Sequence, residues 1–143
     1  MNTRITDIIK GGLIATAAMT LLMVLAPMMG MPKMPVGNML AGFMHIPVAL
    51  GWVAHFMIGT MLAAGYVLVF EPMLGGGAAK GAFYSLIPFL MAQLVVMPMM
   101  GAGLFSSNTP APVLMVMGSL MGHLVYGVVL GLVVQGSRQT ATA

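Results

Sequence analysis

Gly51-Trp52-Val53-Ala54-His55-Phe56-Met57-Ile58-Gly59 returns later in the chain as Ser119-Leu120-Met121-Gly122-His123-Leu124-Val125-Tyr126-Gly127. In each stretch a histidine lies four residues after one small residue and four before another. Four residues is about one helical turn, so the three side chains stack on one helical face. The stripe runs on to Ala63 in the first copy and to Gly131 in the second. Small residues at one-turn intervals let helix backbones approach closely. An imidazole set among them needs a partner or a ligand.

The surroundings decide what kind of helix carries these stretches. Of 143 residues, 60% are hydrophobic and 5% charged, against about 25% charged in soluble domains. Such a chain cannot cover a soluble surface, and a membrane protein follows. A span needs about 20 apolar residues, and the sequence supplies four such segments, at residues 8–29, 48–70, 81–100 and 113–134. Pro27 and Gly30 close the first. Pro32, Pro35 and Pro47 forbid one continuous helix before the second, leaving room for a short interfacial helix at 36–44. Trp52 suits an interface anchor, and Glu71-Pro72 ends the second span ahead of Gly75-Gly76-Gly77. Pro88 is expected to kink the third span, which carries the uncharged polar Gln93. Residues 106–112 form a loop, and the polar tail 136–143 is expected to fray. The fold class is all-α: a polytopic membrane four-helix bundle, with residues 1–143 forming one transmembrane domain.

Net charge is +3, from five cations and two acids. That is too sparse for a nucleic-acid surface, but it reports topology. Arg4, Lys10, Lys80 and Arg138 fall on one side of a four-span arrangement and Lys33 alone on the other. The positive-inside rule puts both termini in the cytoplasm. Asp7 and Glu71 are then expected at the cytoplasmic edge. No cysteine is present, which excludes disulfides and thiolate metal sites. Arg4, Lys10 and the apolar run from Gly11 have the outline of a signal peptide. No small-x-small site closes that run, and its pattern recurs mid-chain, so it reads as the first span.

The recurrence covers most of the sequence. Lys10-Gly11 matches Lys80-Gly81, Pro27-Met28-Met29-Gly30 matches Pro98-Met99-Met100-Gly101, and the two histidine stretches follow. The Lys-to-Pro spacings are 17 and 18 residues and the Pro-to-His spacings 28 and 25. Residues 8–70 and 80–135 are thus two tandem two-helix repeats. An even number of spans per unit inserts both copies the same way up, giving a parallel pseudo-two-fold. The histidines then lie at similar depth and face each other across the axis. The Pro-Met-Met-Gly and His-x-x-x-Gly motifs resemble those of a family of small four-span bacterial membrane proteins, a domain of unknown function. The resemblance spans about Lys10 to Val134. It implies a bacterial inner-membrane location and no particular activity.

An ionisable residue inside a membrane marks a candidate site. His55 and His123 have three readings. They are hydrogen-bonded glue between helices, or axial ligands of a b-type haem given room by Gly59 and Gly127, or an ion or proton relay beside Pro88 and Gln93. The relay lacks the buried carboxylate such a path normally holds. Nineteen methionines are present. Thioethers favour Cu(I), and Met28, Met29 and His45 are the candidate ligands, although methionine is also a flexible apolar filler. No paired carboxylates, catalytic triad or phosphate loop can be assembled, so no enzyme is expected. The sequence therefore predicts an accessory or interaction subunit with an intramembrane His55/His123 pocket. Its partners are the bilayer and a larger membrane complex or further copies of itself. The alternatives are haem b and Cu(I) or ion handling.

Overall fold

A computed structural model describes residues 2–141, all helix and connection with no strand among them. Helix α1, Asn2–Leu25, continues into a 3-10 turn at Ala26–Met29. Helix α2, Val36–Met44, is the short helix set off by the prolines. Helices α3, Val48–Leu74, and α4, Ala78–Met99, are joined by the glycine-rich turn. Helix α5 runs from Pro112 to Ala141. Four helices are long and apolar enough to cross a membrane: α1 with its turn, α3, α4 and α5. Their outer faces carry exposed Leu21, Val24, Met57, Met61, Val69, Phe83 and Val113, the periphery expected of a bundle solvated by lipid.

Helix α1 packs between α3 and α5, α4 packs along α5, and α2 lies on α3. Backbones touch where glycines permit it. A Cβ on Gly81 would strike the Gly127 carbonyl, and one on Gly127 would strike the Gly81 carbonyl. Trp52, expected as an interface anchor, covers Gly37 and fastens α2 to α3. The α3–α4 pair is different. It is tied by Tyr84, whose hydroxyl donates to the Leu62 carbonyl at 2.7 Å, and whose ring lies 5.3 Å from Tyr66 and 5.1 Å from Phe70. Away from the glycine-rich turn the two helices stand apart.

Each Pro-Met-Met-Gly ends its helix in the same way. Gly30 and Gly101 adopt φ of 84° and 83°, and their N–H groups bond back to Pro27 and Pro98. A left-handed residue here closes the orphan carbonyls of a helix end, and glycine adopts it without a Cβ clash.

Two expectations about helix ends change. Glu71-Pro72 does not stop the helix. A π-helical segment at Tyr66–Phe70 precedes it, and a second, Ala92–Val96, precedes Met97-Pro98. A proline has no N–H and crowds the carbonyl four residues back. For Pro72 and Pro98 that carbonyl belongs to Leu68 and Leu94, both inside the widened segments. The i-to-i+5 bonding of a π segment absorbs the proline, and the helix continues.

The tail is the other correction. Instead of fraying after Gln135, α5 stays helical to Ala141. Arg138 explains why: its guanidinium lies 2.9 Å from Glu71 Oε2 and 3.5 Å from Asp7 Oδ2. Asp7, near the N-terminal end of α1, is only 1% exposed, an acid buried by its neighbours. One arginine thereby joins the ends of α1, α3 and α5.

The interior has two parts. Toward the termini lies an aromatic and aliphatic core of Tyr66, Tyr84, Tyr126, Leu130 and Val134 with Ala15, Ala63 and Val67. At the opposite end Met23, Met34, Met97 and Met115 are buried against one another.

Candidate functional site

Where α3 and α4 part, the bundle encloses a cavity of about 240 Å³. All four long helices and α2 contribute to its wall, and Met19, Met23, Met34, Met39, Met97 and Met100 give it a thioether lining. Val36, Met39 and Leu40 of α2 roof it, because the prolines fold that segment back over α3. Its floor is Tyr126, 2% exposed, whose hydroxyl donates to the Gly59 carbonyl at 2.6 Å.

Both membrane histidines reach this cavity. In α3 the whole predicted stripe, Gly51, His55, Gly59 and Ala63, is buried. The Thr20 hydroxyl donates its single proton to the Thr16 carbonyl at 2.7 Å. Toward His55 Nε2, 3.1 Å away, it can therefore only accept. While the Thr20 proton stays on the Thr16 carbonyl, neutral His55 carries its own on Nε2. His123 Nδ1 lies 2.7 Å from the Ser119 carbonyl, which also only accepts. Neutral His123 carries its proton on Nδ1 and keeps the Nε2 lone pair. Each imidazole has spent its donor on the bundle, and neither bonds to the other. Trp52 and Phe89 stand edge-on to His55 and His123, each with ring centroids 5.9 Å apart.

Gln93 is the third polar group. It is 0% exposed and lines the same cavity. Its Oε1 accepts from the Ser106 hydroxyl at 3.2 Å, while its Nε2 has no partner. Exchanging the two ends of the amide would leave the oxygen unpaired instead, so one polar atom is orphaned either way. Ser106 and Phe105 hold positive φ of 57° and 48°. Two consecutive non-glycine residues in that region cost about 1–2 kcal/mol each. The strained turn delivers the fully buried Ser106 hydroxyl to Gln93.

The cavity brings together His55, His123 and Gly59 of the predicted site. It does not include Gly127, which is spent on the contact with α4. Met28 and Met29 are 83% and 73% exposed. His45 caps α2 in a left-handed conformation with φ of 56°, also exposed. These three lie outside the cavity, and the thioethers at its wall are other methionines. Among the described residues no three His, Cys, Asp or Glu side chains cluster.

Sequence reasoning passed over Thr16, Thr20 and the methionine wall. Gly12, Thr16 and Thr20 recur every fourth residue, so a small-polar face on α1 was there to be read. Nothing in the pattern distinguished lining methionines from lipid-facing ones.

A family profile matches residues 3–143, almost the full length. The chain belongs to the family of unknown function DUF6789. Neither a curated protein nor a solved structure gives a match. For this DUF6789 protein the chemistry must be argued from the site. It offers soft apolar walls, with Gln93, His55 and His123 as polar residues and no carboxylate among the lining residues.

Proposed function

We propose that this is a small, non-catalytic accessory protein of a bacterial inner membrane, with both termini cytoplasmic, that holds a small molecule in the His55/His123 cavity. The observation that carries the reading is Gln93. A buried polar atom without a partner costs about 1–3 kcal/mol, and this one belongs to a residue that lines the cavity with the histidines. An occupant that pairs with it recovers that cost. The tandem repeat supports the same reading, since it accounts for two histidines reaching one space from separate helices.

The volume of about 240 Å³ favours a compact occupant, since pockets for drug-sized ligands run to roughly 300–1,000 Å³. Bis-histidine haem needs two lone pairs aimed at one iron, whereas His55 Nε2 is engaged by the Thr20 hydroxyl at 3.1 Å. A soft cation is the second reading. Buried Met23, Met34 and Met97 line the same cavity as His123, and thioether with imidazole suits Cu(I).

The test is chemical analysis of protein purified from its native membrane. Organic extracts are examined by mass spectrometry, metals by elemental analysis, and haem by the visible spectrum. Ala92→Phe, which fills the cavity, is the control. A small molecule retained by the wild type and lost from a folded Ala92→Phe protein supports the reading. Equal content in both proteins overturns it.

A further inference from the structure

Resting on that reading, we infer that the occupant is a quinone or quinol ring, taken sideways from the lipid phase. Three observations converge on this class. The first is the wall. Methionine sulfur makes favourable contacts with aromatic rings, so a thioether lining selects a flat conjugated ring over a saturated chain.

The second is the polar pair. Gln93, a lining residue, holds a buried amide Nε2 without a partner, and His123, also lining, keeps an Nε2 lone pair once Nδ1–H is held by Ser119. A ring oxygen serves both groups. As a carbonyl it accepts from the Gln93 amide, and as a hydroxyl it donates to His123. A bare hydrocarbon answers neither.

The third is access. The cavity is lined by Ile58 of α3 and Val96 of α4, which remain 44% and 41% exposed on the bundle's apolar periphery. A tail on the ring would pass between these residues toward the lipid. Tyr126 closes the other end, so the route runs to the bilayer and not along the bundle axis. One substituted ring suits a volume of about 240 Å³, whereas a macrocycle exceeds it.

Trp52 provides the readout. It is the one tryptophan of the chain, and its ring centroid lies 5.9 Å from that of His55, so a bound quinone quenches it. The full-length protein in detergent is titrated with a decyl-substituted benzoquinone. A decyl-substituted cyclohexanone serves as a saturated competitor. The wild type is expected to show saturable quenching that the competitor does not reverse. Gln93→Leu and His123→Phe, each checked for unchanged thermal unfolding, are expected to weaken binding about tenfold, the equivalent of one hydrogen bond. If His123→Phe does not fold, Gln93→Leu decides.

Quenching that fails to saturate, or that is equal in wild type and variants, overturns the inference. So does full displacement by the cyclohexanone. If the quinone fails while the wild type still retains another small molecule that Ala92→Phe loses, the quinone class falls and the pocket stands. If nothing is retained and nothing binds, both fall.

Discussion

Tyr126→Phe isolates one bond at the floor of the cavity. The hydroxyl of Tyr126 lies 2.6 Å from the Gly59 carbonyl in a site only 2% exposed. The Gly59 carbonyl sits in mid-helix, so removing the hydroxyl leaves it with its own helical partner and orphans nothing. The phenylalanine ring refills the space. What is lost is the net value of one neutral hydrogen bond, about 0.5–1.5 kcal/mol in general and about 0.6 kcal/mol on average between membrane helices. The expected destabilisation is about 1 kcal/mol, roughly a fivefold drop in the ratio of folded to unfolded protein. Tyr84→Phe removes the parallel bond to Leu62, 2.7 Å long and one turn away on α3, and should cost about as much. The double variant tests whether the two bonds, one turn apart on α3, act independently. Reversible unfolding in mixed detergent micelles, followed by helical circular dichroism, measures all three variants. A Tyr126→Phe protein as stable as the wild type would refute the bond and remove the floor from the cavity.

The remaining predictions concern other parts of the frame. Gly127→Ala and Gly81→Ala should each destabilise by about 1–3 kcal/mol in the same assay, because the new methyl meets the facing backbone. Gly42→Ala, whose Cβ would meet nothing within 4 Å, should instead stabilise by about 0.4–1 kcal/mol; a loss there would show that α2 packs differently. Arg138→Gln leaves buried Asp7 without its cation and should cost about 1–3 kcal/mol, below the value for a fully buried pair because the arginine side chain is 39% exposed. An unchanged midpoint would show that the three helix ends are not tied there. Nitrogen-15 correlation spectra should find neutral His55 protonated on Nε2 and neutral His123 on Nδ1. Thr20→Val should shift the His55 tautomer alone, and the reverse assignment would break the hydrogen-bond network described above.

Much of the frame was legible from apolar length and prolines. Pro35 and Pro47 confine α2 to Val36–Met44, because each removes a donor and restricts the residue before it. The stripe through His55 was legible because one-turn spacing defines a face. The π segments were not anticipated, although their cause was visible: Pro72 and Pro98 are prolines inside apolar runs too long to end there. Asp7 escaped because its burial depends on Arg138, more than a hundred residues away. The cavity escaped for a similar reason. Its walls come from helices that do not adjoin in sequence, and a methionine facing Gln93 looks, in sequence, like Met57 facing outward.

The strained turn at Phe105 and Ser106 joins the cavity to the surface. Ser106 holds one end of the Gln93 amide, so the direction in which the other end points is fixed by a loop outside the membrane-spanning helices. Anything that relaxes Phe105 out of its left-handed backbone would withdraw that hydroxyl, and the amide could then turn. The outer loop would in this way act on the pocket's polarity without touching its occupant. Any occupant of the cavity would then meet a polarity set from outside the membrane-spanning helices.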